Sequence, residues 1–338
     1  MSKTSSNAGR TAALVISVGI SVGIVVYLFA KLDWAEVWTQ VRRANPWMMA
    51  GLTLSFLVMI WMRAMRWRLL LPGREKLSIP RLMDATIVGF FASFVLPLRA
   101  GEIIRPWVAS RWQPVTFSAA LASIMIERLA DSVILLTLLA VCLTQISEIP
   151  VVILAGAKAL GLLCGVLILL VIASYALPGR MEKFFHFFSD RLVGRFAPHA
   201  AEKVNRMVNE YFAGLRVIGS AWQLLAVLGW SLGMWLVMAA WYHGLLWAFG
   251  ESPTFWVAMV LNVTIAMAVA APSAPGFVGT FQVGCILALS TVYGYSKEFA
   301  MAYSVVGHVL QMIFNVAAGL IVLHLRGLKF RQLRQLDS

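Results

Sequence analysis

RLMDATIVGFFASFVLPLRAGEIIRPWVASRW, residues 81–112, holds an apolar run that reaches only Pro97, breaks at PLRAGE and resumes through IIRPWVASRW. Each arm is too short for the roughly 20 apolar residues that a membrane-spanning helix needs. Irregular backbone at membrane depth survives only where protein or a water-filled cavity surrounds it. The stretch therefore reads as a re-entrant hairpin or broken helix. Residues 254–294 repeat the pattern, running apolar to Ala271, breaking at PSAPGFVG and resuming through TFQVGCILALSTVYGY.

Around these two hairpins lie six uninterrupted apolar stretches, 11–30, 46–71, 115–144, 150–177, 222–249 and 298–324, each long enough to cross a bilayer. The expected fold is all-α: a polytopic helical bundle of about six full spans plus two hairpins, forming one transmembrane domain over 1–338. Composition agrees. Of 338 residues, 60% are hydrophobic and 13% charged, against about 25% charged in soluble domains, which excludes an ordinary cytosolic enzyme. The 11–30 stretch is too long for a signal-peptide core and lacks a small-residue cleavage site, so it is expected to be a retained first span.

The excess of 28 Lys+Arg over 15 Asp+Glu reads as membrane topology rather than nucleic-acid binding. Arg63, Arg66, Arg68, Arg74, Lys76 and Arg81, the run from Arg180 to Arg216, and Arg326 to Arg334 fall on one side. Only Lys31, Arg42, Arg43 and Lys297 fall on the other, and the loops QISEIP and GESP carry no cation. Cations collect in the cytoplasm, so the expectation is a multi-pass cell-membrane (inner or plasma membrane) protein with both termini cytoplasmic. Segment order then exposes an inverted repeat: 46–144 and 222–324 are each span, hairpin, span, one turned over relative to the other, as in secondary transporters. Between them 178–221 alternates Phe184, Phe185, Phe187 and Phe188 with Lys183, Arg191 and Arg195, as expected of a basic amphipathic linker on an anionic leaflet.

Charged residues at mid-bilayer cost about 2.5–3.5 kcal/mol each on insertion scales and usually have partners or work. The first break offers Arg99, Gly101, Glu102 and Arg105; the following span offers Glu127, Arg128 and Asp131. On that helix Glu127 and Asp131 share a face, and Arg128 can pair with Asp131 at i,i+3. Glu127 then needs a cation, for which Arg99 or Arg105 is the expected source. In the second half His308, Gln311 and Asn315 share one helix face, opposite the break at Pro275, Gly276 and Gln282. Buried amides and imidazoles also serve simply to join helices, and that reading stands beside a binding one. Cys142, Cys164 and Cys285 lie in apolar runs without metal-ligand spacing, and there is no P-loop, HExxH or GxSxG motif. Neither a metal nor another cofactor is expected.

The stretches FVLPLRAGEIIRPW at 94–107, IMIERLADSVILL at 124–136 and APSAPGFVGTFQVG at 271–284 resemble the signatures of the flippase-like membrane family that includes the transmembrane half of lysylphosphatidylglycerol synthases. The resemblance implies a lipid translocator without a catalytic role, whose partners are membrane lipids with an anionic headgroup and a lipid-modifying enzyme. Relatives place an acid where this chain has Gln282. Because the chain stops at Ser338, soon after Gly327, the cytosolic synthase domain is not expected and neither is lysyl-lipid synthesis. A membrane glycosyltransferase using a polyprenyl-phosphate sugar, with Glu102 or Glu127 as base, and a non-catalytic accessory subunit are the alternatives.

Overall fold

A computed structural model describes residues 32–96, 100–146, 150–194, 202, 204–205, 208–209, 212, 220–270 and 275–327. The expected first span at 11–30, Arg99, and Arg195 within the linker lie outside these. The described residues are helical, with no strand among them: α1 (Trp34–Arg43), α2 (Pro46–Leu70), α3 (Ile79–Val95), α4 (Gly101–Trp112), α5 (Phe117–Leu143), α6 (Val151–Ala176), α7 (Pro178–Phe188), α8 (Ala221–Ala248), α9 (Phe255–Ala270), α10 (Thr280–Ile286, continued by a π-helical turn to Val292) and α11 (Lys297–Leu325).

Helix starts follow from local chemistry. Asn45 accepts from the Trp47 and Met48 amides at 3.0 and 3.2 Å, with Pro46 in the first turn, and Thr116, Ser220 and Ser296 cap α5, α8 and α11 in the same way. Each cap satisfies amides that have no partner inside the helix. Among the described residues, four helical segments, Pro46–Leu70, Trp222–Ala248, Pro275–Val292 and Lys297–Leu325, are long and apolar enough to cross a membrane. Helices α5 and α6 have the length as well, at 27 and 26 residues, but α5 carries Glu127, Arg128 and Asp131.

At both expected interruptions the flanking helices pair with each other. Helices α3 and α4 pack against each other across the interruption after Val95, and α9 packs on α10 across that between Ala270 and Thr280. The first closes tightly at both ends. At its open end the Gln113 amide donates to the Ser78 carbonyl at 2.7 Å and accepts from the Ser78 amide at 3.2 Å. At its turn Gly101 lies so close to Gly89 and Ser93 that a Cβ there would strike the Gly89 carbonyl and the Ser93 hydroxyl. The second turns at Gly276 (φ 71°) and Phe277 (φ 62°), a left-handed pair that disfavours the phenylalanine.

The neighbour order is the same in both halves. Helix α2 packs on α3, α3 on α4, and α4 on α5, while α8 packs on α9, α9 on α10, and α10 on α11. The halves join chiefly through α2 against α8 and α3 against α11. On α8, a Cβ at Gly233 would meet Met62 Cε at 2.9 Å and one at Gly244 would meet Leu52 Cδ2 at 2.6 Å, so small residues admit the opposing helix. On α11, Gly319 receives the Phe91 ring of α3. The two turns also meet: the Phe94 ring lies edge-on to Phe277 at 6.0 Å, and a Cβ on Gly276 would lie 3.4 Å from the Phe94 carbonyl.

The linker begins as α7, with Phe184, Phe187 and Phe188 exposed while Met181 and Phe185 pack beneath Leu70 and Ile126. Cys142 and Cys285 are buried free thiols. Asn262 donates to the Trp235 carbonyl at 2.9 Å, a helix-joining role.

Candidate functional site

The charged residues of the first half converge on α5. The side chain of Glu127 is fully buried, and Arg105 of α4 grips it with two nitrogens, at 2.7 and 3.4 Å. The same guanidinium lies 3.8 Å above the centre of the Trp67 ring, a cation–π contact strengthened by the absence of water. Trp67 is itself fixed, its indole donating to Ser123 at 2.7 Å. The expected cation for Glu127 is thus Arg105.

A second cation completes the network, and it comes from α2. Arg66 is fully buried, pairs with Asp131, approaches Glu127 at 3.6 Å and donates to Ser231 of α8 at 2.7 Å. It sits between two carboxylates that share one face of α5, so the like-charge repulsion expected at i,i+4 is neutralised. Arg63 and Arg66, counted in the sequence among the cations of one membrane side, both lie within α2, which continues to Leu70. The signal lay in WMRAMRWR, where Arg63 and Arg66, one turn apart and followed by Arg68, interrupt a span whose apolar run continues to Leu71.

Arg128 also pairs with Asp131, at 3.6 Å, but its side chain is 48% exposed, and that of Asp131 is 16% exposed. The network is therefore sealed around Glu127 and open at Asp131. Glu127 and Ser231 each lie about 15 Å along their helix axes from the starts at Phe117 and Ala221, at about 1.5 Å per residue. Helices from both halves hold the network.

Glu102 does not join it. It occupies the first turn of α4, is exposed, and makes no ion pair among the described residues. Arg105 lies three positions on, one turn along the same helix, but its side chain is buried against Glu127 and the Trp67 ring while that of Glu102 stays exposed. Gly101 serves the close packing of the turn, and Arg99 lies outside the described residues.

The second half's polar residues form a separate clasp. The Gln282 side chain accepts from the Gly279 amide at 2.8 Å, which turns its nitrogen toward His308 Nδ1 at 3.2 Å. That nitrogen donates, so Nδ1 accepts and Nε2 carries the proton. Nε2 then donates to the Gly276 carbonyl at 2.6 Å. The imidazole stacks on Phe281 with ring centres 4.8 Å apart. These contacts hold the second turn onto α11. Pro275 opens that turn. Asn315 donates to the Gln311 carbonyl of its own helix at 2.7 Å, and Gln311 lies against Tyr242.

The sequence family described as the lysylphosphatidylglycerol synthase TM region matches residues 14–319. A UPF0104 membrane protein of Methanothermobacter thermautotrophicus is 24% identical over 330 residues, covering 89% of this chain and 90% of that protein. A protein named glycosyltransferase AglD, from Haloferax volcanii, is 21% identical over 346 residues, covering 92% of this chain but 54% of its own length. No solved structure gives a significant match.

Proposed function

The chain belongs to the lysylphosphatidylglycerol synthase TM region family, and from that premise we propose that it is a lipid translocator, moving an anionic phospholipid or a polyprenyl-phosphate-linked lipid between leaflets. The observation that carries the reading is the ion network: Arg66, Arg105 and Arg128 pair with Glu127 and Asp131 in hydrophobic helices, open on one side, with Arg63 one turn before Arg66. Joining helices does not require six charged side chains, whereas taking a headgroup through about 30 Å of hydrocarbon does require compensating charge.

In this reading 46–144 and 222–324 are inverted repeats, supported by the matching neighbour order, and both termini face the cytoplasm, supported by the loop cations. Rocking of one half against the other across α2 and α8 would open the network to each leaflet in turn. The tails stay in lipid throughout.

The name of the Haloferax relative favours a second reading, sugar transfer from a polyprenyl-phosphate donor. Reconstitution of the purified protein in liposomes with headgroup-labelled lipids separates the two. Exchange of phosphatidylglycerol between leaflets without a sugar donor supports translocation. Absence of exchange, with sugar transfer to an added acceptor, overturns it.

A further inference from the structure

Two guanidiniums stand at the edge of the network without a full counter-charge. Arg63, one turn before Arg66 on α2, is partly buried with its guanidinium 5.0 Å above the centre of the Phe90 ring. Among the described residues it makes no ion pair and no hydrogen bond. Arg128 approaches Asp131 Oδ2 at 3.6 Å, and Arg66 contacts that same oxygen at 3.3 Å. The Asp131 carboxylate lies in the field of Arg63, Arg66 and Arg128 together. Four arginines against two carboxylates leave two positive charges over; Arg128 stands at the exposed edge, and Arg63 lies one turn before Arg66, which pairs with Asp131.

An unpaired cation inside hydrophobic helices is costly, and an entering anion relieves the cost. The sealed side offers no such opening, because Arg66 and Arg105 are already held by Glu127, Asp131, Ser231 and the Trp67 ring. We propose that Arg63 and Arg128 form the docking point for the phosphate of an anionic lipid headgroup, at the Asp131 edge of the network, with Arg66 and Arg105 as positioning residues. Only the source of the phosphate, a lipid headgroup, rests on the translocation reading. A guanidinium matches phosphate oxygens with two parallel donors. Asp131 competes with the phosphate for Arg128, so the empty site is held partly neutral and the occupied one displaces that contact. A zwitterionic headgroup gains less, since its own ammonium is brought up to two guanidiniums.

The test is lipid binding by the purified full chain in detergent micelles, read as ligand-induced thermal stabilisation with phosphatidylglycerol, phosphatidylcholine and inorganic phosphate as probes. Arg63→Gln and Arg128→Gln should each weaken phosphatidylglycerol binding at least tenfold. Arg63→Gln should also leave the ligand-free protein as stable as the parent or more so, a result that a merely structural arginine would not give. Asp131→Asn should raise phosphatidylglycerol affinity relative to phosphatidylcholine. Unchanged phosphatidylglycerol binding in both arginine variants overturns the site. Inorganic phosphate binding as tightly as phosphatidylglycerol, and lost in the same variants, overturns the assignment to a lipid headgroup. Binding that follows these expectations in a protein that fails to exchange lipid counts against translocation alone.

Discussion

Arg66 of α2 donates to Ser231 of α8 at 2.7 Å while also pairing with Asp131 of α5, so one guanidinium ties the ion network of the first half to a helix of the second. A buried pair of this kind adds little stability over apolar packing, but breaking one partner away is strongly destabilising. Arg66 is therefore sensitive in shape as well as charge.

Arg66→Lys keeps the charge and loses the planar fork, so Asp131, Glu127 and Ser231 cannot all be reached. The expected result is a loss of about 1–3 kcal/mol, read as a lower midpoint of thermal unfolding in detergent. A midpoint equal to that of the parent protein would show that the three contacts do not act together.

Glu127→Gln leaves Arg105 without its carboxylate and Arg66 with only Asp131. Removing one member of a buried pair costs about 3–5 kcal/mol. The double variant Glu127→Gln with Arg105→Gln should recover part of that loss, and a double-mutant cycle on unfolding midpoints gives the coupling. Additive losses would exclude a direct pairing.

Gly101→Ala places a methyl against the Gly89 carbonyl and the Ser93 hydroxyl, and backbone cannot step aside as a flexible side chain does. A loss of about 1–3 kcal/mol is expected from overpacking. Gly165→Ala on α6 meets nothing within 4 Å and should leave the unfolding midpoint unchanged. Equal behaviour of the two variants would contradict the close packing of the first turn.

His308→Ala removes the donor to Gly276 and the acceptor for Gln282 at once. Amide exchange across 275–282 should speed up while exchange in α8 stays as it was, measured by hydrogen–deuterium exchange with mass spectrometry. Unaltered protection at the turn would mean that the clasp does not hold it.

Single cysteines at Glu75 and Ser252, both exposed in loops next to the hairpins, test the inverted arrangement. A membrane-impermeant maleimide applied to sealed vesicles should label the two from opposite sides. Labelling of both from one side would remove the inverted repeat.

The helix boundaries were legible because lipid-exposed helices must be apolar over their whole length and punctuated by Pro, Gly and polar caps. Thus 46–71 and 298–324 match Pro46–Leu70 and Lys297–Leu325 closely. The Arg105–Glu127 pair was legible for a related reason, since a buried acid demands a cation and few were in reach. Arg66 was not, because it was counted only toward membrane topology, and only packing shows it turned inward between Glu127 and Asp131. Glu102 lies one turn from Arg105 on the same helix, and only packing shows that the first stays exposed while the second is buried against Glu127. His308 and Gln282 share no helix, so their pairing depended on how the second turn folds back onto α11.

On α11, Gly319 takes the Phe91 ring and His308 holds the Gly276 turn. The two are separated by three helical turns and so lie on one stripe, about 16 Å apart. Two seats cut along one edge of a rigid rod cannot be shifted separately. If the rod rolls so that Gly319 swings away from Phe91, His308 swings through the same angle and in the same direction. The turns of the two hairpins are thereby geared to a single shaft, and a bulky side chain at either seat should be felt at the other hairpin.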